Sequence, residues 1–125
     1  MNTRGITFVI VHSVEDHLRI DKEQLKQVFL NLIRNAAEAC LEGGEIALSS
    51  GRQGKNIFLT VTDNGAGIPK EYLGLIFDPF FSKKKAGTGL GLAICRKIVE
   101  THNGQIICES TEAKGTTFTI TLEAI

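Results

Sequence analysis

Leu25, Val28, Phe29, Leu32, Ile33, Ala36, Ala37 and Cys40 recur at helical spacing, and this stripe restricts the chain more than any other feature. Asp21 is a good N-cap, and Gln24 three residues on completes a capping-box pattern. Gly43-Gly44 is a strong stop signal. A helix with one apolar face must bury it against a second layer. The sequence offers strands for that layer. Residues 5–11 and a short stretch near 17–20 precede the helix, and 45–50 and 56–62 follow it, with Gly51–Gly54 as the hairpin between them. A second helix runs from about Gly89 to His102, with Leu90, Ala93, Ile94, Ile98 and Val99 inward, and Asn103-Gly104 ends it. Strands at 105–109 and 116–122 close the chain. Hairpin-joined strands favour antiparallel pairing with the helices on one face, which is a two-layer α+β domain.

The 125 residues fit a single domain, 1–125, large enough for its own core. Lys+Arg and Asp+Glu both number 14, so composition gives no electrostatic case for nucleic acid or an anionic membrane. No apolar run approaches the roughly 18 residues of a membrane span, and no leader peptide is visible. Cys40, Cys95 and Cys108 are odd in number, widely spaced and in apolar company; they read as small core residues suited to a reducing compartment.

Four constellations carry chemistry. Asn31 and Asn35 sit one turn apart on the first helix, about 40° apart around its axis, with Glu38 on the same face. An amide oxygen is a hard neutral ligand suited to Mg²⁺, although a solvated helix face explains the pair equally well. Asp63-Asn64-Gly65-Ala66-Gly67-Ile68-Pro69 follows a strand directly. A buried carboxylate there would accept from the exocyclic amine of adenine and reject the carbonyl of guanine; an ordinary Asx turn is the plain alternative. Gly87-Thr88-Gly89-Leu90-Gly91-Leu92 runs into the second helix, where free amides and the helix dipole favour an anion. It is neither the dinucleotide GxGxxG nor a Walker A loop. Phe77-Asp78-Pro79-Phe80-Phe81-Ser82-Lys83-Lys84-Lys85 reads as a flap offering cations to phosphates, or as a solvated loop. Residues 63–91 hold six glycines, two prolines and three consecutive lysines, a composition that is usually functional or disordered inside a compact domain.

Together these residues resemble the catalytic ATP-binding domain of bacterial two-component sensor histidine kinases. Asn31–Ala39 resembles the N box, Asp63–Pro69 the G1 box, Phe77–Lys83 the F box and Gly87–Ile94 the G2 box, and Gly115-Thr116-Thr117-Phe118 also fits. Four boxes in order and spacing, within residues 5–122, make a specific match. The resemblance implies the Bergerat-type fold shared with gyrase-type ATPases, Hsp90 and MutL-like proteins: a mixed, mostly antiparallel five-stranded sheet covered on one face by three helices. It implies Asn35 as the Mg²⁺ ligand, Asn31 near the triphosphate, and Asp63 reading the adenine amine with Thr116 in support through water. Gly65 and Gly67 would shape the pocket, with Ile68, Phe80, Thr88, Leu90 and Leu92 among the nucleotide-binding residues. Residues 70–88 would form a flexible ATP lid, mobile without nucleotide, and Lys83 with the amides of Gly87, Gly89 and Gly91 would hold phosphates.

In the hydrolysing relatives a Glu that activates water stands four residues before the magnesium Asn. Here that position is Asn31, and an amide is no useful base near neutral pH. The resemblance therefore implies transfer of the γ-phosphoryl group to an external nucleophile, with Asn31, Asn35 and Lys83 as the catalytic residues. His12, His17 and His102 all lack the acceptor context, so the phosphoacceptor histidine is expected on a separate dimerisation domain, with a response regulator downstream. The domain itself is expected to be a cytoplasmic monomer, even if its parent kinase is membrane-anchored. A standalone serine/threonine kinase of the anti-sigma type, or an ATPase, is the alternative.

Overall fold

The computed structural model describes residues 7–11, 22–40, 44–79, 81 and 91–123. In chain order the elements are β1 (Thr7–Val11), α1 (Lys22–Ala39), β2 (Glu45–Gln53), β3 (Asn56–Asp63), a 3₁₀ turn (Lys70–Tyr72), α2 (Gly91–Thr101), β4 (Gln105–Thr111) and β5 (Gly115–Glu123). The strands form one sheet in the order β1-β2-β3-β5-β4. Only β1 and β2 are parallel, and α1 lies on the chain between them, as a parallel pair requires a crossover. The other three pairings are antiparallel.

Two α-helices are present among the described residues, not the three expected, and a 3₁₀ turn stands after Pro69. The strand expected near 17–20 and the capping residue Asp21 lie outside the described residues. The first hairpin is also tighter than its glycines suggest. Gly51 pairs with Phe58 and Arg52 with Ile57, so the strands run on to Gln53 and Asn56. The turn is Gly54-Lys55, with Gly54 at φ 63 and the Arg52 Nε donating to the Gly54 carbonyl at 2.8 Å. A positive φ at the first loop position is what a tight hairpin asks of glycine.

The core lies between the helices and one face of the sheet. Val28, Leu32 and Ala36 of α1 and Cys95, Ile98 and Val99 of α2 pack with Ile46, Val61, Ile106, Phe118, Ile120 and Leu122. The sheet positions alternate, as strand periodicity demands: Thr116, Phe118, Ile120 and Leu122 are buried and their neighbours are less so. The opposite face carries Ser49, Thr60, Thr62 and Thr117, whose hydroxyls pair across strands, Ser49 with Thr60 and Thr62 with Thr117.

α2 ends in a Schellman motif. Gly104 N–H donates to the Val99 carbonyl at 2.9 Å and Asn103 N–H to the Glu100 carbonyl at 3.0 Å, with Asn103 at φ 59. The side chain that occupies this left-handed position is one of the few that tolerate it. Asn103→Gly should therefore leave thermal stability unchanged or slightly raised, whereas Asn103→Val should cost about 1–2 kcal/mol, measured by denaturant unfolding of the two variants side by side.

Candidate functional site

Four side chains form one row across the helix-facing side of the sheet. Ile46 pairs with Asp63, Asp63 with Thr116, and Thr116 with Ser110. Asp63 ends the central strand and is only 5% exposed. Its Oδ1 accepts from the Gly65 N–H at 2.8 Å, and its carboxylate also accepts from the backbone of Thr116. Burial raises the Asp63 pKa above the ordinary carboxylate range, and the two amide hydrogen bonds pull it back only in part.

The loop after Asp63 is pinned on both sides. Asn64 N–H donates to the Glu45 carbonyl at 3.2 Å, and its side-chain oxygen accepts from the Glu45 N–H at 2.8 Å. Ala66 N–H donates at 3.0 Å to the carbonyl of Ala39, the last residue of α1 and one of the carbonyls a helix end leaves unpaired. From the other side, Ala113 N–H donates to the Ala66 carbonyl at 2.6 Å, and Ile68 N–H donates to the Ser110 hydroxyl at 2.7 Å. Gly65 and Gly67 are required by these contacts. A Cβ at Gly65 would lie 2.4 Å from the Ala39 oxygen, and one at Gly67, where φ is 73, would lie 2.2 Å from the Thr111 oxygen. The chain's own backbone, before any ligand, excludes side chains at both positions.

α1 carries the two asparagines away from this loop. Asn35 is one turn before Ala39 and Asn31 two turns before it, about 6 and 12 Å along the axis, and both are half-buried. Asn31 meets the thiol of Cys95 on α2 through its side chain, and the same thiol approaches the Val28 carbonyl at 3.7 Å. Burial pushes the Cys95 thiol up to about 11, and burial with the charges of Asp63 and Glu109 pushes Cys108 up to about 12. Both are inert thiols at neutral pH. Cys95 lies one turn into α2, so Asn31 stands near the start of the helix that opens at Gly91 and Leu92. Gly91 and Leu92 are half-buried there. Phe80, Lys83, Gly87, Thr88, Gly89 and Leu90 lie outside the described residues, so most of the phosphate-binding set and half of the expected lid are not placed.

The described part of that lid is not loose. Ile76 is 6% exposed within the core. Phe77 stands edge-on to Phe118, with centroids 6.2 Å apart, and the Arg96 guanidinium lies 5.9 Å from the Phe77 centroid. Tyr72 and Phe81 contact each other at 5.7 Å. Among the described residues no cluster of three or more His, Cys, Asp or Glu could hold a metal, and no helix is long and apolar enough to cross a membrane. Asn31 and Asn35 nonetheless suit an ion that keeps its waters and takes few, neutral oxygen ligands from protein.

The sequence reading brought Asp63, Thr116, Gly65 and Ile68 to one place, and the fold does the same. It missed Ser110, Asn64 and Ala113. Ser110 carried one available signal: it is the third inward position of β4 after Ile106 and Cys108, and a polar residue in that series needs a buried partner.

A profile of the family described as "Histidine kinase-, DNA gyrase B-, and HSP90-like ATPase" matches residues 20–124. Sporulation kinase C of Bacillus subtilis is 43% identical over 102 residues, which are 82% of this chain and 24% of that protein. The nucleotide-free catalytic domain of histidine kinase ThkA superimposes with a TM-score of 0.87 at 39% identity, covering 98% of this chain and 81% of that one. ThkA in complex with the response regulator protein TrrA also matches, with a TM-score of 0.82 at 34% identity over 99% of this chain and 36% of that one. The chain spans about a quarter of the length of the sequence relatives it matches.

Because burial raises the Asp63 pKa above its unfolded value near 3.8, the folded protein binds this proton more tightly than the unfolded chain. Asp63 therefore contributes most to stability below that value and loses the contribution as pH rises through its folded pKa. Relative to Asp63→Asn, the nucleotide-free wild type should lose stability as pH rises from about 4 toward neutrality. Chemical denaturation of both proteins across that range measures it.

Proposed function

Because the chain belongs to the histidine kinase-, DNA gyrase B-, and HSP90-like ATPase family, as a histidine kinase ATP-binding catalytic domain, we propose that it binds Mg·ATP and donates the γ-phosphoryl group to a histidine on a separate dimerisation domain. The observation that carries the reading is the buried Asp63 carboxylate. Its protein partners are backbone N–H groups, from Gly65 and Thr116, so the side chain offers acceptors alone. An exocyclic amine satisfies such a group, and a ring carbonyl in its place leaves two acceptors facing each other at a cost that discriminates strongly.

Asp63 would anchor the base, with Thr116, Gly65, Gly67 and Ile68 around it. Asn35 would hold Mg²⁺, and Asn31, which meets Cys95 of α2, would face the triphosphate. Lys83, Gly87, Thr88, Gly89, Leu90, Gly91 and Leu92 would hold the phosphates, and Phe80 would pack in the lid over 70–88. The metal supplies charge neutralisation on the phosphate oxygens. The acceptor imidazole nitrogen attacks the γ-phosphorus, the bond to the bridging oxygen breaks, and ADP leaves with that oxygen. The chain supplies positioning and electrostatics for this step, and Asn31 withholds a base that would activate water. A downstream response regulator would take the phosphoryl group onto an aspartate. The domain would work as a cytoplasmic monomer, touching neither nucleic acid nor membrane, in a reducing compartment where Cys40, Cys95 and Cys108 stay as thiols.

Calorimetric titration with a non-hydrolysable ATP analogue should show saturable binding that changes with Mg²⁺, and a GTP analogue should bind far more weakly. Asp63→Asn should weaken the adenine analogue by about tenfold or more; an unchanged affinity would remove Asp63 from the site. Asn35→Ala should abolish the effect of Mg²⁺ while leaving metal-free binding in place. Hydrogen exchange in residues 82–88 should slow when Mg·ATP is added, and an unchanged rate there counts against the lid.

A further inference from the structure

Ser110 stands at the far end of the row that contains Asp63 and Thr116, on the outer strand of the sheet. Three groups converge on its hydroxyl. The hydroxyl donates to the Gly115 carbonyl at 2.9 Å, accepts from the Ile68 N–H at 2.7 Å, and lies 2.7 Å from Thr116 Oγ1. A serine hydroxyl has one proton and two lone pairs. Its proton is committed to Gly115 and one lone pair to Ile68, so the contact with Thr116 must use the threonine's proton.

That assignment settles what Thr116 shows to a ligand. With its proton turned toward Ser110, Thr116 Oγ1 keeps lone pairs alone. Asp63, beside it in the row and 5% exposed, also presents lone pairs alone. We propose that Ser110 is a positioning residue that sets the base specificity of the nucleotide site, by holding the Thr116 hydroxyl as an acceptor next to the Asp63 carboxylate. The inference rests on the reading of Asp63 as the base-recognising group. Two adjacent acceptors fit an amine with two protons. If Ser110 is removed, the Thr116 hydroxyl is free to rotate and donate, and the row no longer distinguishes an amine from a carbonyl so sharply. The loop itself keeps its ties through Ala66, to Ala39 on one side and to Ala113 on the other.

The test is a comparison of two nucleotides in three proteins. Dissociation constants for non-hydrolysable analogues of ATP and of ITP, which carries a carbonyl in place of the amine, are measured for wild type, Ser110→Ala and Ser110→Thr. Ser110→Ala should weaken the adenosine analogue by about tenfold and the inosine analogue far less, so that the selectivity ratio falls. Ser110→Thr, which keeps the hydroxyl, should retain the wild-type ratio. Equal weakening of both nucleotides, or an unchanged ratio, overturns the proposal, since a merely structural role would move both together. Should Ser110→Ala not fold, Ser110→Cys carries the same comparison with a group of similar shape and weak hydrogen bonding, and its ratio must fall as well. A wild-type protein that does not discriminate the two bases defeats the reading of Asp63 and this inference with it. A selective wild type with unselective effects in the variants defeats the role of Ser110 alone.

Discussion

A carboxylate buried at the end of the central strand sets the terms for its surroundings. Leaving Asp63 uncompensated would cost several kcal/mol, so donors must be brought to it, and these are backbone amides of Gly65 and Thr116. For Gly65 to turn back toward the carboxylate, the loop must press against the end of α1, where no Cβ fits. For Thr116 to reach it, β5 must begin close against β3. Gly115, at φ 131, permits this, since a Cβ there would lie 2.1 Å from the Asp63 carbonyl oxygen. The glycines around the loop therefore serve the protein's own packing, and the ligand-facing geometry follows from it.

The helices were legible because each is amphipathic and has clear stop signals. The α1 stripe, interrupted by neither glycine nor proline, could only be a helix, and Asn103-Gly104 ends α2 in the conformation that the dipeptide suggests. The first hairpin was placed two to three residues early because Gly51 looks like a turn residue. In the sheet it is simply a paired strand position with open space beside it. Local composition cannot separate those cases, and register can. The same limit hid Ser110. Its importance depends on the pairing of β4 with β5 that puts it opposite Thr116, and then on the pairing of β5 with β3. Two long-range registers have to be known before that serine is more than a polar residue near a strand end. Asp63 was easier, since a carboxylate followed by Asn-Gly-Ala-Gly announces itself within a few residues.

The described part of residues 70–88 is held more firmly than its composition suggests. The glycine and lysine content of 70–88 suggested a chain with little to hold it. In the fold Ile76 is buried and Phe77 lies between Phe118 of the core and the guanidinium of Arg96 on α2. An aromatic pair of this kind contributes about 0.5–1.5 kcal/mol beyond its buried area, and the arginine adds a cation–π contact. The first half of the segment is thus anchored to the elements that carry the site.

α1 links the two ends of the site mechanically. Its last carbonyl, at Ala39, receives the amide of Ala66 in the loop that follows Asp63, and two turns earlier Asn31 meets the Cys95 thiol on α2. The α-helix between these points fixes the spacing between the Asp63 carboxylate and the start of α2. Its length per residue is set by the backbone and not by side-chain packing. A reaction that depends on positioning rather than on an acid or a base needs such a fixed spacing. The same helix carries amides at Asn31 and Asn35, which cannot take up a proton usefully and would face the phosphates in the proposed reaction. In the proposed reaction the helix would thus favour the orientation of a phosphoryl group toward an incoming nucleophile over the activation of water.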